Sequence, residues 1–176
     1  MHTITLPGRP PLVLGERPLL LATLDEPSLN QVQNLLAQGA DMIQLSGGNA
    51  PMPVQQELDR IIPLLDQLIA GGITAPIAIA TANPLVADQA IQAGASLIVD
   101  LANLTGAPEM AEIAALHEAP VIVRPSDPAL ARAKAAGIQL ILDFGQTSPE
   151  RTDYPTLVGP MPAQATYRTS AHILRI

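Results

Sequence analysis

The hydrophobic pattern alternates between two kinds of segment. Between residues 54 and 69, Leu58, Ile61, Ile62, Leu65, Leu68 and Ile69 recur at helical spacing, whereas 76–80 and 97–101 are short blocks that are apolar without alternation. Blocks apolar on both faces are what parallel strands covered by helices require. The joint between the two kinds repeats. Gln38-Gly39-Ala40 leads into Met42-Ile43, Ala93-Gly94-Ala95 into Leu97-Ile98-Val99-Asp100, and Ala136-Gly137-Ile138 into Leu140-Ile141-Leu142-Asp143. Each glycine is predicted to close a helix at positive φ and pass the chain into a strand.

From the amino end, 4–6 and 12–14 flank Pro7-Gly8-Arg9-Pro10-Pro11 and predict a hairpin within residues 1–17. Strands at 18–24, 42–45, 76–80, 97–101, 121–124 and 139–144 then alternate with helices at 28–38, 54–69, 84–92, 108–117 and 127–136. Ser28 is predicted to cap the first helix, Pro84 to sit in the first turn of the third, and Asp127-Pro128 to cap the fifth. Residues 145–176 hold two more strand candidates, 156–159 and 171–176, with little room for helices. The expected fold is α/β: a compressed (β/α)₈ TIM-like barrel with an N-terminal hairpin, some late helices missing or very short. Such barrels usually need about 250 residues, and this chain has 176. The alternative is an open doubly wound sheet. Its first strand would normally run into a glycine-rich phosphate turn, but here it runs into Asp25-Glu26-Pro27-Ser28.

Composition narrows the function classes. Nothing marks a second domain, so residues 1–176 are expected to form one. One Phe and two Tyr leave an aliphatic core without a stacking platform for nucleic acid, and the net charge of −7 argues against a phosphate-backbone partner. With no Cys, disulfides and thiolate metal sites are excluded. No apolar run reaches membrane-spanning length and residues 1–7 lack signal-peptide character, so no membrane partner and a cytoplasmic location are expected.

In either architecture a ligand sits beyond the carboxyl ends of the strands. The polar residues there are Asp25, Gln44, Ser46, Thr81, Asn83, Asp100, Asn103, Arg124, Asp143 and Gln146. Carboxylates around one mouth suit a nitrogen-rich heterocycle, because a carboxylate accepts paired N–H bonds from a guanidine-like ring edge. The same side chains also serve to cap the next helix or face water. His2, His117 and His172 are scattered without metal-ligand spacing, and no metal site is assigned. There is no G-x-S-x-G elbow and no Cys nucleophile.

The order of the pieces carries further information. Gly8-Arg9-Pro10 through Gly15-Glu16-Arg17-Pro18, Gly39-Ala40-Asp41-Met42-Ile43 with Gly47-Gly48, Pro76-Ile77-Ala78-Ile79-Ala80-Thr81, Ile98-Val99-Asp100, Pro108-Glu109-Met110-Ala111, Leu142-Asp143 and His172-Ile173-Leu174-Arg175 are collinear along the chain. In that order they resemble dihydropteroate synthase, with deletions between Arg124 and Leu140 and after Thr147. The resemblance implies a pterin-binding barrel of folate biosynthesis. If active, it would be a transferase joining hydroxymethyl dihydropterin pyrophosphate to p-aminobenzoate. Asp143 falls on a pterin carboxylate of that family, with Asp100, Thr81, Asp25 and Gln146 as further ligand contacts and Arg175 as an anion contact. At the family's pterin-binding Asp, Asn and Lys this chain has Ala80, Val99 and Gln146. The loop 48–53 offers no cation, and Arg124 and Arg168 align with no family ligand.

These departures imply a degenerate member with little or no synthase activity, holding a pterin or folate-like ligand or pairing with a partner. The alternatives are a divergent active synthase and a relative of the pterin-dependent corrinoid methyltransferases, the latter suggested by Gly15-Glu16-Arg17 and Thr81-Ala82-Asn83-Pro84. No cofactor is implied, except that a bound pyrophosphate would bring Mg²⁺. The late deletion predicts apolar surface covered by a homodimer or a full-length synthase.

Overall fold

All three glycine joints form as the pattern predicts. Gly39, Gly94 and Gly137 have φ of 104°, 112° and 69°. In each joint the residue after the glycine donates its N–H five residues back: Ala40 to Leu35, Ala95 to Ala90 and Ile138 to Ala133, at 3.0, 3.0 and 3.1 Å. That bond satisfies a carbonyl the helix end would otherwise leave open.

The computed structural model describes residues 2–15, 17–48, 51–146, 152–159 and 172–176. Strands β1 (His2–Leu6) and β2 (Arg9–Leu14) form the antiparallel hairpin, with Ile4 opposite Leu12. There follow β3 (Leu19–Asp25), α1 (Leu29–Ala37), β4 (Met42–Ser46), α2 (Val54–Ala70), β5 (Ile77–Thr81), α3 (Pro84–Gln92), β6 (Leu97–Asp100) and α4 (Glu109–Leu116). The chain continues through β7 (Val121–Val123), α5 (Asp127–Ala136), β8 (Leu140–Asp143), β9 (Thr156–Val158) and β10 (Ile173–Arg175). Strands β3 to β10 close into an eight-stranded parallel barrel, β10 pairing with both β9 and β3. After β8 the described residues contain no helix, and residues 160–171 between β9 and β10 lie outside them. The compressed barrel and its hairpin are therefore as expected.

The helix starts follow from local chemistry. Ser28 Oγ accepts the Gln31 N–H at 3.3 Å while Gln31 Oε1 accepts the Ser28 N–H at 2.8 Å, a reciprocal capping box. Asn83 Oδ1 accepts from Leu85 N at 3.0 Å ahead of Pro84. At α5 the cap is Ser126, whose Oγ accepts from Ala129 N, and Asp127 occupies the first turn. The expectation that Asp127 itself caps this helix is thus displaced by one residue, because a serine hydroxyl was already in place before it.

Alternation along each strand divides the core into two layers. Outward residues such as Ile43, Ile79, Ile98 and Val121 pack on Leu58, Ile61, Leu65 and Leu68 of α2 and on the small faces of α3 and α4. Inward residues Leu21, Met42, Ala78, Leu97, Ile122, Ile141, Leu157 and Ile173 fill the barrel. Ile4, Leu6 and Leu14 of the hairpin join that inner layer. Arg9 fixes the hairpin there by donating to the carbonyls of Thr74, Ala75 and Gly94, and Thr5 N donates to Gln139 Oε1 at 2.9 Å. Those acceptors precede β5, β6 and β8, so the hairpin lies over the amino ends of the strands and leaves the carboxyl mouth to a ligand.

Among the described residues five large hydrophobic side chains are exposed: Val13, Ile69, Leu85, Leu101 and Leu116. None of these belongs to the described side chains of β8, β9 or β10, where Leu140, Leu142 and Leu174 are buried. No helix among the described residues is long and apolar enough to cross a membrane.

Candidate functional site

The carboxyl mouth contains two adjoining cavities of about 530 Å³ and 570 Å³, which share Thr23, Gln44 and Leu101 as a common wall. Parity decides which side chains reach them. In β4 the inward residues are Met42 and then Gln44; in β8, Ile141 and then Asp143; in β10, Ile173 and then Arg175. Barrel closure brings the last members of these series together. Arg175 Nη2 donates to Asp143 Oδ2 at 2.8 Å and lies 3.4 Å from Gln44 Oε1. Both partners of the ion pair are largely shielded, with side chains 16% and 14% exposed. Asp143 Oδ1 also accepts the Gly145 N–H at 2.9 Å, while Arg175 Nε is buried without a hydrogen-bond partner among the described residues. Elsewhere in the barrel, on β5 and β6, the inward positions Ala80 and Val99 are apolar and buried.

Thr81 and Asp100 have the opposite parity, one residue beyond Ala80 and Val99. Thr81 is fully buried, and its Oγ1 accepts from Asn83 N at 3.0 Å. Asp100 accepts from Ala102 N at 2.9 Å and from Leu104 N at 2.7 Å, holding a turn in which Asn103 and Leu104 both have positive φ. Burial pushes the Asp100 carboxyl above the ordinary aspartate range, against the pull of those two N–H groups and of the Arg132 charge. Asp100 reaches the first cavity's wall, but its oxygens are engaged with the backbone.

Asp25 lies in the second cavity with Ser46, Glu57 and Asn83, and Ser46 Oγ donates to Asp25 Oδ1 at 2.7 Å. Gln146 is exposed in the turn after β8 and lines neither cavity. Arg168 lies outside the described residues. Two contributions were not visible along the chain. Leu101, 62% exposed, is an apolar ledge between the cavities. Arg60 of α2 supplies a cation near the second, donating to Gly47 O at 3.0 Å and pairing with Glu26 at 3.5 Å. Its distance from that loop in sequence, and helical geometry, hid it.

Among the described residues no group of three His, Cys, Asp or Glu gathers to hold a metal. The pterin binding enzyme profile matches residues 23–152, from within β3 to just before β9. The chain belongs to the pterin-binding enzyme family.

Relatives and solved structures agree with this membership. A dihydropteroate synthase of Synechocystis is 31% identical over 139 residues, which is 76% of this chain and 43% of that protein. The chain spans less than half the length of the curated relatives it matches. A Yersinia pestis dihydropteroate synthase with a pterine-sulfa conjugate superposes with a TM-score of 0.74 at 26% identity, over 89% of this chain and 77% of that one. The Thermus thermophilus dihydropteroate synthase in complex with 4-aminobenzoate has the same fold, with a TM-score of 0.77 at 24% identity and coverage of 99% and 93%.

Proposed function

We propose that this chain is a dihydropteroate-synthase-like protein of folate metabolism that binds a pterin-like ligand at the barrel mouth and has little or no synthase activity. The observation that carries this reading is the first cavity, where Asp143 is inward, shielded and paired with Arg175 and where the apolar Val99 shares the lining. A carboxylate with lone pairs left over accepts the paired N–H donors of a pterin edge. The apolar neighbours add shape but no hydrogen bonds, so the grip rests on Asp143 and on Gln44.

Synthase chemistry asks more of a site. Departure of pyrophosphate develops negative charge that cations or amide donors must stabilise, at several kcal/mol per group. The second cavity instead presents Asp25 and Glu57. Mg²⁺ is usually held by one or two carboxylates together with phosphate oxygens, so here it would arrive with a pyrophosphate ligand and find Asp25 at the rim. The divergent-synthase reading rests on Arg175, whose Nε lacks an acceptor among the described residues.

The test is complementation of a bacterial strain lacking its dihydropteroate synthase, together with an assay of the purified chain on the pterin pyrophosphate and p-aminobenzoate. The reading predicts no growth without added folate end products. Rescue by this chain alone would overturn the loss of activity.

A further inference from the structure

We propose that Arg124 is an anion-recognition residue of the mouth, so that the ligand held by Asp143 carries a carboxylate or phosphate substituent. This rests on the pterin-like reading given above and extends it to the ligand's charge. In β7 the inward residue is Ile122, and alternation turns Arg124, one position past the strand, toward the same cavity. The Arg124 backbone is fixed, because its N–H donates to Asn103 Oδ1 at 2.6 Å and Asn103 Nδ2 in turn donates to Ser126 Oγ at 3.0 Å. Its guanidinium, by contrast, has no hydrogen-bond or ion-pair partner among the described residues. Other arginines near the strand ends are engaged: Arg60 with Glu26 and Arg175 with Asp143.

The balance of charge within the cavity points the same way. Asp143 and Arg175 neutralise one another, and the Asp100 oxygens accept backbone N–H groups. Among the described residues Arg124 is left as the cation of the first cavity without an ion-pair partner, and Arg175 Nε as a buried donor in the same wall. The adjoining cavity is lined by Asp25 and Glu57, and the Arg60 cation beside it is paired with Glu26, so an anionic group is drawn toward Arg124 instead. A ring crossing the Leu101 ledge with its edge on Asp143 can direct a substituent to β7.

The test compares ligands that differ only in that substituent: 6-hydroxymethylpterin, its phosphate ester, and pterin-6-carboxylate. Each is titrated calorimetrically into the full chain and into Arg124→Gln, alongside inorganic pyrophosphate and 4-aminobenzoate without a pterin ring. A pair of this kind predicts about tenfold tighter binding of at least one anionic pterin than of the neutral one. Arg124→Gln should abolish that preference and its salt dependence while leaving the neutral ligand unchanged. The carboxylate and phosphate arms identify which anion is read. Equal binding of charged and neutral pterins, or a preference that survives Arg124→Gln, overturns this inference and leaves the pterin reading standing. Arg124-dependent binding of the simple anions without pterin binding does the reverse. No binding of any probe at millimolar concentration overturns both.

Discussion

Arg175 Nη2 donates to Asp143 Oδ2 at 2.8 Å, tying β10 to β8 across the intervening β9. The residues are far apart in the chain, and the contact exists because the barrel closes. Breaking one side of a shielded pair leaves the other charge unsatisfied. Arg175→Met is expected to cost about 3 kcal/mol, while the double change Arg175→Met with Asp143→Leu recovers most of it. Urea unfolding of the two variants checks this; equal destabilisation of both would show that packing, rather than charge pairing, dominates.

Much of this architecture was legible in the chain. The glycine joints at Gly39, Gly94 and Gly137 each announced a helix end and a following strand, since only local backbone chemistry is needed to form them. The site was less legible. Asp100 and Thr81 stand at strand ends like Asp143, but each directly follows an inward residue, Val99 or Ala80, and so turns toward its own loop. Counting alternation from the inward residues, rather than from the strand end, separates the two groups. The Arg175–Asp143 contact and the Arg9 clamp depend on closure and hairpin docking, which no local pattern encodes.

His172 ties β9 to β10 through its ring. Its Nδ1 accepts the Thr156 N–H at 3.2 Å and lies 3.0 Å from Thr156 Oγ1, while His2 packs edge-on at 4.7 Å between ring centroids. Burial first, and then the His2 charge, hold the His172 imidazole below the ordinary histidine range. Between the folded value and the unfolded value the unfolded chain binds more protons, so stability falls as pH drops through about 6.5. Unfolding midpoints from about pH 7.5 to about pH 5 should decline, and His172→Gln should flatten that slope. An unchanged slope in the variant would assign the pH dependence to other groups.

The hairpin is a plug rather than an appendage. Leu14 is 1% exposed within the inner layer of the barrel. Leu14→Ala is expected to lower stability by about 3 kcal/mol, a core-sized loss for a residue outside the eight strands. A loss below about 1 kcal/mol in urea unfolding would show that the hairpin frays independently of the barrel.

Val99 and Ala80 occupy inward positions of the barrel at which the resemblance to dihydropteroate synthase implies polar groups. Returning one of them should strengthen the site. Val99→Asn is expected to tighten 6-hydroxymethylpterin binding by about tenfold, at a cost of about 1–3 kcal/mol in the stability of the free protein. Calorimetry and urea unfolding measure the two effects. Weaker binding by a folded variant would mean that the ligand does not lie against β6.

The most direct measurement is titration of the purified chain with 6-hydroxymethylpterin, repeated with Asp143→Asn. Micromolar binding that falls at least about tenfold in the variant is the predicted result, since the substitution removes a charged acceptor while keeping its shape. Binding that is unaffected by Asp143→Asn, or no heat at millimolar ligand, would contradict a pterin site at the Asp143–Arg175 floor.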